Sequence, residues 1–289
     1  MTQITICVPT YNASKYLKRA LDSICEQDFQ DFKVIVVDDA SKDETRSIVE
    51  EFCKKDSRFE LRTHSENSGA MGLAVQEMLR ECETEYFMWF GADDILTAHY
   101  ISKLIYLIES TQSDYAYSDF QVIDENDAHT HIWEFPLIEM TAYVNQVLTR
   151  CSGALPMNGV FKVSSIRARN LDWILYKGES RSSDTINGLY FRSQGLRMSR
   201  CSEPLFKYRV HSTNLSHDMS GRLRSDRNVI DFIFEAFPEL VEYFAQTQRM
   251  TRDAFYTAVN ARCDALFLRR CNHHQVPPAT ADSPKNANK

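Results

Sequence analysis

Paired aspartates follow two apolar segments and are the residues best suited to chemistry. Residues 87–97, FMWFGADDILT, lead from apolar side chains to Asp93 and Asp94, and residues 34–41, VIVVDDAS, lead to Asp38 and Asp39. Adjacent carboxylates repel each other, so each pair needs a cation, hydrogen-bond donors or open water beside it. The sequence has no Gly-x-Gly-x-x-Gly loop after its first apolar run and no Walker lysine, which favours a divalent metal as the partner of a bound anion.

Strand and helix patterns alternate through the first third of the chain. The spacing predicts strands at 4–10, 32–39, 59–64 and 86–90, and amphipathic helices at 14–27, 43–55 and 69–82. Ser14 has the chemistry of an N-cap for the first helix. This alternation, with nearly continuous apolar strands, indicates right-handed βαβ units and a mostly parallel sheet. Ligands of such sheets bind beyond the carboxyl ends of the strands, so both aspartate pairs are expected at one edge.

Composition limits the class of protein. The chain has 289 residues, is 43% hydrophobic and carries a net charge of −7, which fits one large domain with an appendage. The negative charge argues against general attraction to nucleic acid or an anionic membrane. Eight cysteines without a Cys-x-x-Cys pair indicate reduced thiols. With neither a signal peptide nor a membrane span in the pattern, we expect a cytoplasmic location.

Five motifs occur in the order and rough spacing found in the family 2 glycosyltransferases: VPTYN, VDDAS, ENSG, GADD and EPLFKYRVHSTNLS. The resemblance covers about residues 3–216. It implies an α/β fold of the GT-A (Rossmann-like) nucleotide-sugar-binding type, with a mostly parallel central sheet and a C-terminal helical extension. We accordingly expect a GT-A domain at 1–216 (nucleotide-binding half 1–118, acceptor-binding half 119–216), a helical extension at 217–272 and a disordered tail at 273–289.

The resemblance also implies which residues bind the donor. It places Thr10 and one of Asp38 and Asp39, with Asp39 preferred, beside a uracil-like base, where a carboxylate accepts a ring N–H. The alternative for Asp39 is capping of the next turn. The implied nucleotide-binding set is Pro9, Thr10, Tyr11, Asn12, Asp38, Asp39, Asn67, Gly69, Ala92 and Asp93. Relatives often carry an arginine in the helix after Asn-x-Gly. It is missing here, and Arg62 or Lys42 could supply the charge.

The motif GADD resembles the acidic metal motif of the family, with Gly91 at the place of its first aspartate. Asp93 matches the metal-binding residue, whereas Asp94 is a ligand or the cap of the helix that follows. His211 in YRVHS is implied as a further metal ligand or a diphosphate contact. Arg209 faces either phosphate or a surface carboxylate, and the other histidines show no partner pattern. The implied cofactor is Mn²⁺ or Mg²⁺, which stabilises a departing nucleoside diphosphate.

The segment GESRSSDTINGLYF stands where the family places its catalytic base. Asp184 matches that aspartate, although Ser183 replaces the glutamate that often precedes it. Asp184 could instead cap the helix, or Glu179 could be the base with Asp184 orienting it. An aspartate that deprotonates the acceptor directly favours a single displacement with inversion, as the resemblance implies. The partners are then a nucleotide-sugar donor and a saccharide or lipid-linked acceptor.

Three questions stay open at the level of sequence. Trp173 and Tyr176 could contact the acceptor or belong to the core. The helical extension, interrupted by Pro238, could pack on the catalytic domain, form a homodimer through 217–272, or rest on the inner membrane surface. The departures at Gly91 and Ser183, with the missing arginine, leave a catalytically inactive GT-A-like binding or assembly protein as the alternative function. A sugar nucleotidyltransferase is disfavoured because no basic, Gly-rich triphosphate loop follows the first strand.

Overall fold

The computed structural model describes residues 3–150, 156–178, 183–214 and 219–273. Nine strands are assigned in this part of the chain: β1 (Ile4–Thr10), β2 (Phe32–Asp38), β3 (Phe59–Thr63), β4 (Tyr86–Trp89), β5 (Ile95–Leu96), β6 (Tyr115–Ile123), β7 (His129–Trp133), β8 (Val160–Lys162) and β9 (Met198–Arg209).

Ten α-helices are assigned in the same ranges, together with a 3-10 turn at Tyr176–Gly178. They are α1 (Ser14–Cys25), α2 (Thr45–Lys55), α3 (Met71–Glu81), α4 (Tyr100–Thr111), α5 (Met140–Arg150), α6 (Val163–Ala168), α7 (Ser183–Ser193), α8 (Met219–Ala236), α9 (Pro238–Thr247) and α10 (Arg252–His273).

The strands form one mixed sheet in the order β3-β2-β1-β4-β8-β6-β9-β5, with β7 paired to β6. The first four strands in this order are parallel, as expected for successive βαβ units. Strand β8 is antiparallel to both of its neighbours, β4 and β6, and β9 lies parallel to β6. This is the α/β architecture that the sequence predicts, with an antiparallel insertion between its two parallel parts.

Burial explains the parallel part. Every residue of β1 is buried, and β2 is buried except for a partly exposed Lys33, so both faces of these strands are covered. The core contains Ile4, Ile6 and Val8 of β1 together with Leu17 and Leu21 of α1. Burying an aliphatic side chain of this size contributes roughly 1.5–3 kcal/mol, so the helices are held mainly by their apolar faces.

Two capping expectations are wrong. Ser14 is the first helical residue of α1 rather than its cap, and its backbone N–H donates to Asp43 Oδ2 at 3.0 Å. Asp94 does not cap the helix after the GADD motif, because β5 intervenes and α4 begins only at Tyr100. Asp94 therefore has another role.

The chain divides into two compact units. The first contains residues up to 140 and the described residues of 154–212, and thus the whole sheet. The second contains 141–150 and the described residues from 213 onward, in which α8, α9 and α10 pack on one another. Pro238 begins α9, a position that needs no backbone donor. The boundaries at 216 and 272 stay a prediction, and the tail at 274–289 lies outside the described residues.

The sequence predicts no membrane span and reduced cysteines, and the structure bears on both within the residues that it describes. None of their helices combines the length and apolarity needed to cross a membrane. Seven of the eight cysteines lie in the described ranges, and the six whose side chains are described (Cys7, Cys25, Cys53, Cys82, Cys201 and Cys263) are free thiols.

Candidate active site

The carboxyl ends of β1, β2 and β4 lie side by side. Thr10 is in register with Asp38, and its carbonyl accepts a hydrogen bond from the Asp39 N–H at 2.8 Å. The Phe90 N–H, directly after β4, donates to the carbonyl of Cys7 in β1. The parallel register therefore brings VPTYN, both aspartates of VDDAS and the GADD turn to one edge of the sheet, as predicted.

Asp94 is a buried anchor of the GADD turn. Its Oδ1 accepts a hydrogen bond from the backbone N–H of Arg209 at 2.9 Å, and the Nε of Arg209 donates to the carbonyl of Asp93 at 2.7 Å. Burial, followed by the charge of Asp93, raises the pKa of Asp94 well above its usual range. The side chain of Asp94 thus fixes the turn, while that of Asp93 is about one-third exposed.

Asp93 and His211 meet across this turn. The Nε2 of His211 lies 2.9 Å from Asp93 Oδ2, and the ring centroid of His211 lies 4.8 Å from that of Tyr16 in α1. An imidazole nitrogen that is hydrogen-bonded to a carboxylate can also bind a metal ion, which then takes the place of the proton between them. The carboxylate suits both Mn²⁺ and Mg²⁺ in donor type, whereas the imidazole nitrogen is a poor donor for the hard Mg²⁺, so the pair favours Mn²⁺ of the two.

Within the described ranges, no three side chains of His, Cys, Asp or Glu are grouped so that they could hold a metal ion. Asp93 and His211 offer one carboxylate and one imidazole donor, and a metal ion bound by them stays a prediction.

Arg209 is a structural residue. Its side chain is almost completely buried, Nη2 forms an ion pair with Asp127 Oδ1 at 2.5 Å, and the guanidinium lies 4.6 Å from the ring centroid of Tyr16. Of the two roles left open by the sequence, pairing with a carboxylate describes these contacts. The partner is in the β6–β7 turn, which is thereby tied to the GADD turn.

Asp184 lies in the first turn of α7 and is partly buried. Its Oδ1 is enclosed and has no hydrogen-bond partner among the described residues. Burial raises the pKa of Asp184 to about 7, and the charge of Asp184 is a smaller contribution to the raised pKa of Asp94. The other proposed base, Glu179, lies outside the described residues.

The position of α7 is fixed by an amide side chain. Asn187 Oδ1 accepts from the Ile174 N–H at 2.9 Å, and Asn187 Nδ2 donates to the Ile174 carbonyl at 3.0 Å. The neighbouring Trp173 is buried and packs edge-on against Trp89 and Phe191. Of the two interpretations of Trp173, core packing is the one observed.

The two aspartates after β2 have different surroundings. Asp38 is fully buried, and its Oδ2 lies 3.7 Å from Arg46 Nη2. Asp39 Oδ2 accepts from both the N–H (3.0 Å) and the Oγ (2.9 Å) of Ser68, and Asp39 Oδ1 accepts from His64 Nδ1 at 2.7 Å. Burial alone would raise the pKa of Asp39, but these donors outweigh it and lower the pKa below its usual value.

Asp39 therefore does not cap the following turn. Asp38 does, because its Oδ1 accepts from the Ser41 N–H at 3.3 Å, and Asp43 Oδ1 accepts from the Thr45 N–H at the start of α2.

Among the described histidines, His64 and His99 do have acidic partners, contrary to the expectation from sequence; His99 Nδ1 lies 2.7 Å from Asp28 Oδ2. For His64, the signal was its position directly after β3, at the same edge as Asp39.

The remaining predicted nucleotide contacts surround this edge. Tyr11 is 49% exposed, and Asn12 has a positive φ of 48° with its Oδ1 accepting from the Lys42 N–H at 2.8 Å. Asn67 Oδ1 accepts from the N–H of Gly69, whose φ of 69° suits glycine. Pro9 is buried within β1, and Ala92 is partly buried in the GADD turn.

A cleft of about 490 Å³ lies at the ends of β2 and β3, and Ala40, which follows Asp39, is one of its lining residues. The lining also includes the cationic residues Lys42 and Arg46 and His64. Arg62 instead forms ion pairs with Glu60 and Glu81, so Lys42 is the better placed of the two cations suggested by the sequence. Arg46 was not identified from sequence, because only the fold shows that α2 begins beside the cleft.

The mixed sheet, whose parallel part brings Asp39 and Asp93 to one edge, has the architecture of the GT-A fold. Residues 5–168, more than half of the chain, match the model of the family described as "Glycosyl transferase family 2". The chain belongs to this family.

Relatives in sequence are longer proteins. The chain is 26% identical over 159 residues to the glycosyltransferase GlyG of Streptococcus pneumoniae, covering 54% of this chain and 52% of GlyG. It is 33% identical over 116 residues to the poly(ribitol-phosphate) beta-N-acetylglucosaminyltransferase TarS of Staphylococcus aureus, covering 39% of this chain and 20% of TarS. The matched part thus spans about half the length of one relative and a fifth of the other.

Solved structures share the fold. TarS 1–349 of S. aureus in complex with UDP-GlcNAc superposes with a TM-score of 0.62 at 19% identity, covering 84% of this chain and 71% of that one. The mannosyltransferase PcManGT of Pyrobaculum calidifontis, in complex with GDP-Man and Mn²⁺, superposes with a TM-score of 0.60 at 16% identity, covering 96% and 76%. Both confirm the GT-A architecture.

Proposed function

We propose that the chain is an inverting glycosyltransferase that moves a sugar from a nucleoside diphosphate sugar, specifically a UDP-sugar, to a hydroxyl of a saccharide or lipid-linked acceptor. The observation that carries this proposal is Asp184, whose carboxyl group has an enclosed oxygen and a pKa of about 7, and whose charge contributes to the raised pKa of Asp94. A base with that pKa is half deprotonated near neutral pH, which suits removal of a proton from an alcohol.

The donor nucleotide is assigned to the edge formed by VPTYN and VDDAS. Asp39, kept ionised by its donors, accepts the ring N–H of the base, and the cleft with Lys42 and Arg46 accommodates the nucleoside. TarS and PcManGT were solved with UDP-GlcNAc and GDP-Man, which supports a nucleotide-sugar donor for this fold.

The metal site is assigned to Asp93 and His211, with Asp94 holding the turn rather than binding the ion. A divalent ion bound there would stabilise the negative charge that develops on the departing diphosphate. The Mn²⁺ in the PcManGT complex supports this choice of ion.

Transfer is then a single displacement. Asp184 takes the proton of the acceptor hydroxyl, whose oxygen attacks the anomeric carbon opposite the diphosphate. The bond from that carbon to the diphosphate breaks, its electron pair leaves with the diphosphate, and the anomeric configuration inverts. The named activity of TarS supports a role in cell-surface polymer synthesis. Cytoplasmic location, peripheral membrane association and a homodimer through 217–272 stay predictions.

A donor panel tests the proposed function. The chain is incubated with Mn²⁺ and UDP-GlcNAc, UDP-glucose, UDP-galactose or GDP-mannose, and release of nucleoside diphosphate is measured with and without oligosaccharide acceptors. We expect turnover of at least one donor, and Asp184→Asn should lower it by about 10²- to 10⁴-fold. Asp172→Asn is the matched control, because Asp172 forms an ion pair with Arg80 instead. Absence of turnover with every donor would favour the inactive binding protein.

A further inference from the structure

His64 lies between two carboxylates from different elements. It directly follows β3, and its backbone N–H donates to the carbonyl of Asp38 at 2.9 Å, which places it beside the end of β2. Its Nδ1 is 2.7 Å from Asp39 Oδ1, and its Nε2 is 3.2 Å from Glu77 Oε2 of α3. Donation to both carboxylates requires a proton on each ring nitrogen, which is the imidazolium form.

The charges around His64 favour that form. The hydrogen bond with Asp39 is the largest influence raising the pKa of His64, burial opposes it, and Glu77 adds to the increase. Lys42, Asp43 and Arg46 lie on the walls of the same cleft, from the segment after β2 and from α2.

Two more charges come from β3 and α3. Arg62 of β3 forms ion pairs with Glu60 and with Glu81 of α3, so these side chains largely compensate one another. Among the groups named, only Asp39 and Glu77 are within hydrogen-bonding distance of the ring.

The contacts of Asp39 leave room for one more donor. A carboxylate offers about four acceptor positions. The Nδ1 of His64 and the N–H and Oγ of Ser68 fill about three of them, since the Ser68 N–H is shared between both oxygens at 3.1 and 3.0 Å. These donors fix the plane of the carboxylate and leave a position for a ring N–H from the nucleotide base.

We propose that His64 is a positioning residue for donor binding: its imidazolium, held by Glu77, orients Asp39 toward the base and makes nucleotide affinity depend on pH. This inference rests on the proposed function, since it assigns the base to Asp39. When His64 loses a proton, one of its nitrogens presents a lone pair to a carboxylate, and a positive charge disappears beside an anionic ligand. Affinity should therefore fall as pH rises through the pKa of His64.

The protonation of His64 can be measured without any ligand. Imidazole NMR spectra of the whole chain, recorded from about pH 5 to 9, should show His64 titrating above the ordinary histidine midpoint of about 6.5. Glu77→Gln should lower the His64 midpoint by roughly 0.5 to 1 unit. The matched control is Glu81→Gln, which removes the same charge one turn later on α3 from a residue that pairs with Arg62. A His64 midpoint that is equal in all three proteins would overturn the proposal.

The second measurement is the affinity for UDP-GlcNAc over the same pH range, compared among these three proteins and His64→Gln. In the wild-type chain and Glu81→Gln, we expect affinity to fall by roughly 3- to 10-fold through the His64 midpoint. Glu77→Gln should shift this fall to lower pH, and His64→Gln, which keeps a donor for Asp39 without titrating, should remove it. Binding with one unchanged profile in all four proteins overturns the role of His64. No binding of UDP-GlcNAc, UDP or GDP-mannose at any pH overturns the proposed function itself.

Discussion

Asp94 and Arg209 hold together two segments that are 115 residues apart in the sequence. The buried carboxyl group of Asp94 accepts from the backbone N–H of Arg209, and the guanidinium of Arg209 donates back to the carbonyl of Asp93. The pair thus brings His211, two residues beyond Arg209, to the side chain of Asp93. Asp94 fixes the backbone of the GADD turn, and the side chain of Asp93 is about one-third exposed.

Replacing Arg209 should therefore destabilise the fold of the sheet unit. Arg209→Met removes the hydrogen bonds to the carbonyls of Asp93 and Asp124 and the ion pair with Asp127. We expect the free energy of unfolding to fall by about 2–4 kcal/mol, measured by urea denaturation. Arg19→Met is the control, because Arg19 also pairs with Asp127 but is 63% exposed, and its loss should cost less than about 1 kcal/mol. Equal effects of the two substitutions would disprove the anchoring role.

Gly91 is required by the packing of Asp94. A Cβ at position 91 would lie 2.6 Å from Asp94 Oδ2, and the buried carboxyl group is held by Arg209. We expect Gly91→Ala to reduce stability by roughly 1–3 kcal/mol. Gly91→Asp, which introduces the aspartate that relatives often carry, should reduce both stability and donor turnover instead of increasing activity. A Gly91→Asp variant with wild-type stability and faster turnover would contradict this explanation.

Asp184 should control the pH dependence of turnover. Only its deprotonated form can accept a proton, and burial raises its pKa to about 7. At saturating donor, kcat should therefore rise with pH and level off above about pH 7, as followed by release of nucleoside diphosphate. A kcat that is constant or decreasing between pH 6 and 8 would exclude Asp184 as the base.

The same carboxyl group should make stability depend on pH. Its pKa is about 7 in the folded protein and 3.8 ordinarily, so the folded state holds the proton more tightly. The stability linked to that proton is fully present below about pH 4 and is lost as pH rises through about 7. Between pH 5 and pH 8, the unfolding free energy of the wild-type chain should therefore fall by about 1–2 kcal/mol more than that of Asp184→Asn. If the unfolding free energy falls equally in Asp184→Asn and in the wild-type chain, burial does not raise the pKa of Asp184.

Hydrophobic periodicity along the chain is a local signal, and it predicts the strands and helices of the parallel part of the sheet. The continuous apolar runs of β1, β2 and β4 gave the parallel strands and placed the aspartates at their ends. The pairing of β5 with β9 joins segments far apart in sequence, and no local signal encodes it. For that reason the sequence offers helix capping as one of two roles for Asp94, although β5 separates it from α4.

The same limit applies to the site. Asp39, Asp93 and His211 stand in recognisable motifs, and the structure brings each to the predicted edge of the sheet. His64 stands in no such motif, since its role depends on the register of β2 with β3 and on the face of α3 that carries Glu77. The sequence does not decide whether Arg209 pairs with phosphate or with a carboxylate, because its partner Asp127 lies in the β6–β7 turn, 82 positions earlier (209 − 127).

The central claim is that Asp93 and His211 bind a divalent ion together with the diphosphate of the donor. Isothermal titration of UDP into the wild-type chain, Asp93→Asn and His211→Gln, each with Mn²⁺ and with EDTA, tests it most directly. We expect Mn²⁺ to strengthen UDP binding by at least about 10-fold in the wild-type chain, and each substitution to remove most of that gain. UDP affinity that is the same with Mn²⁺ and EDTA, or that is unchanged by both substitutions, would contradict the account.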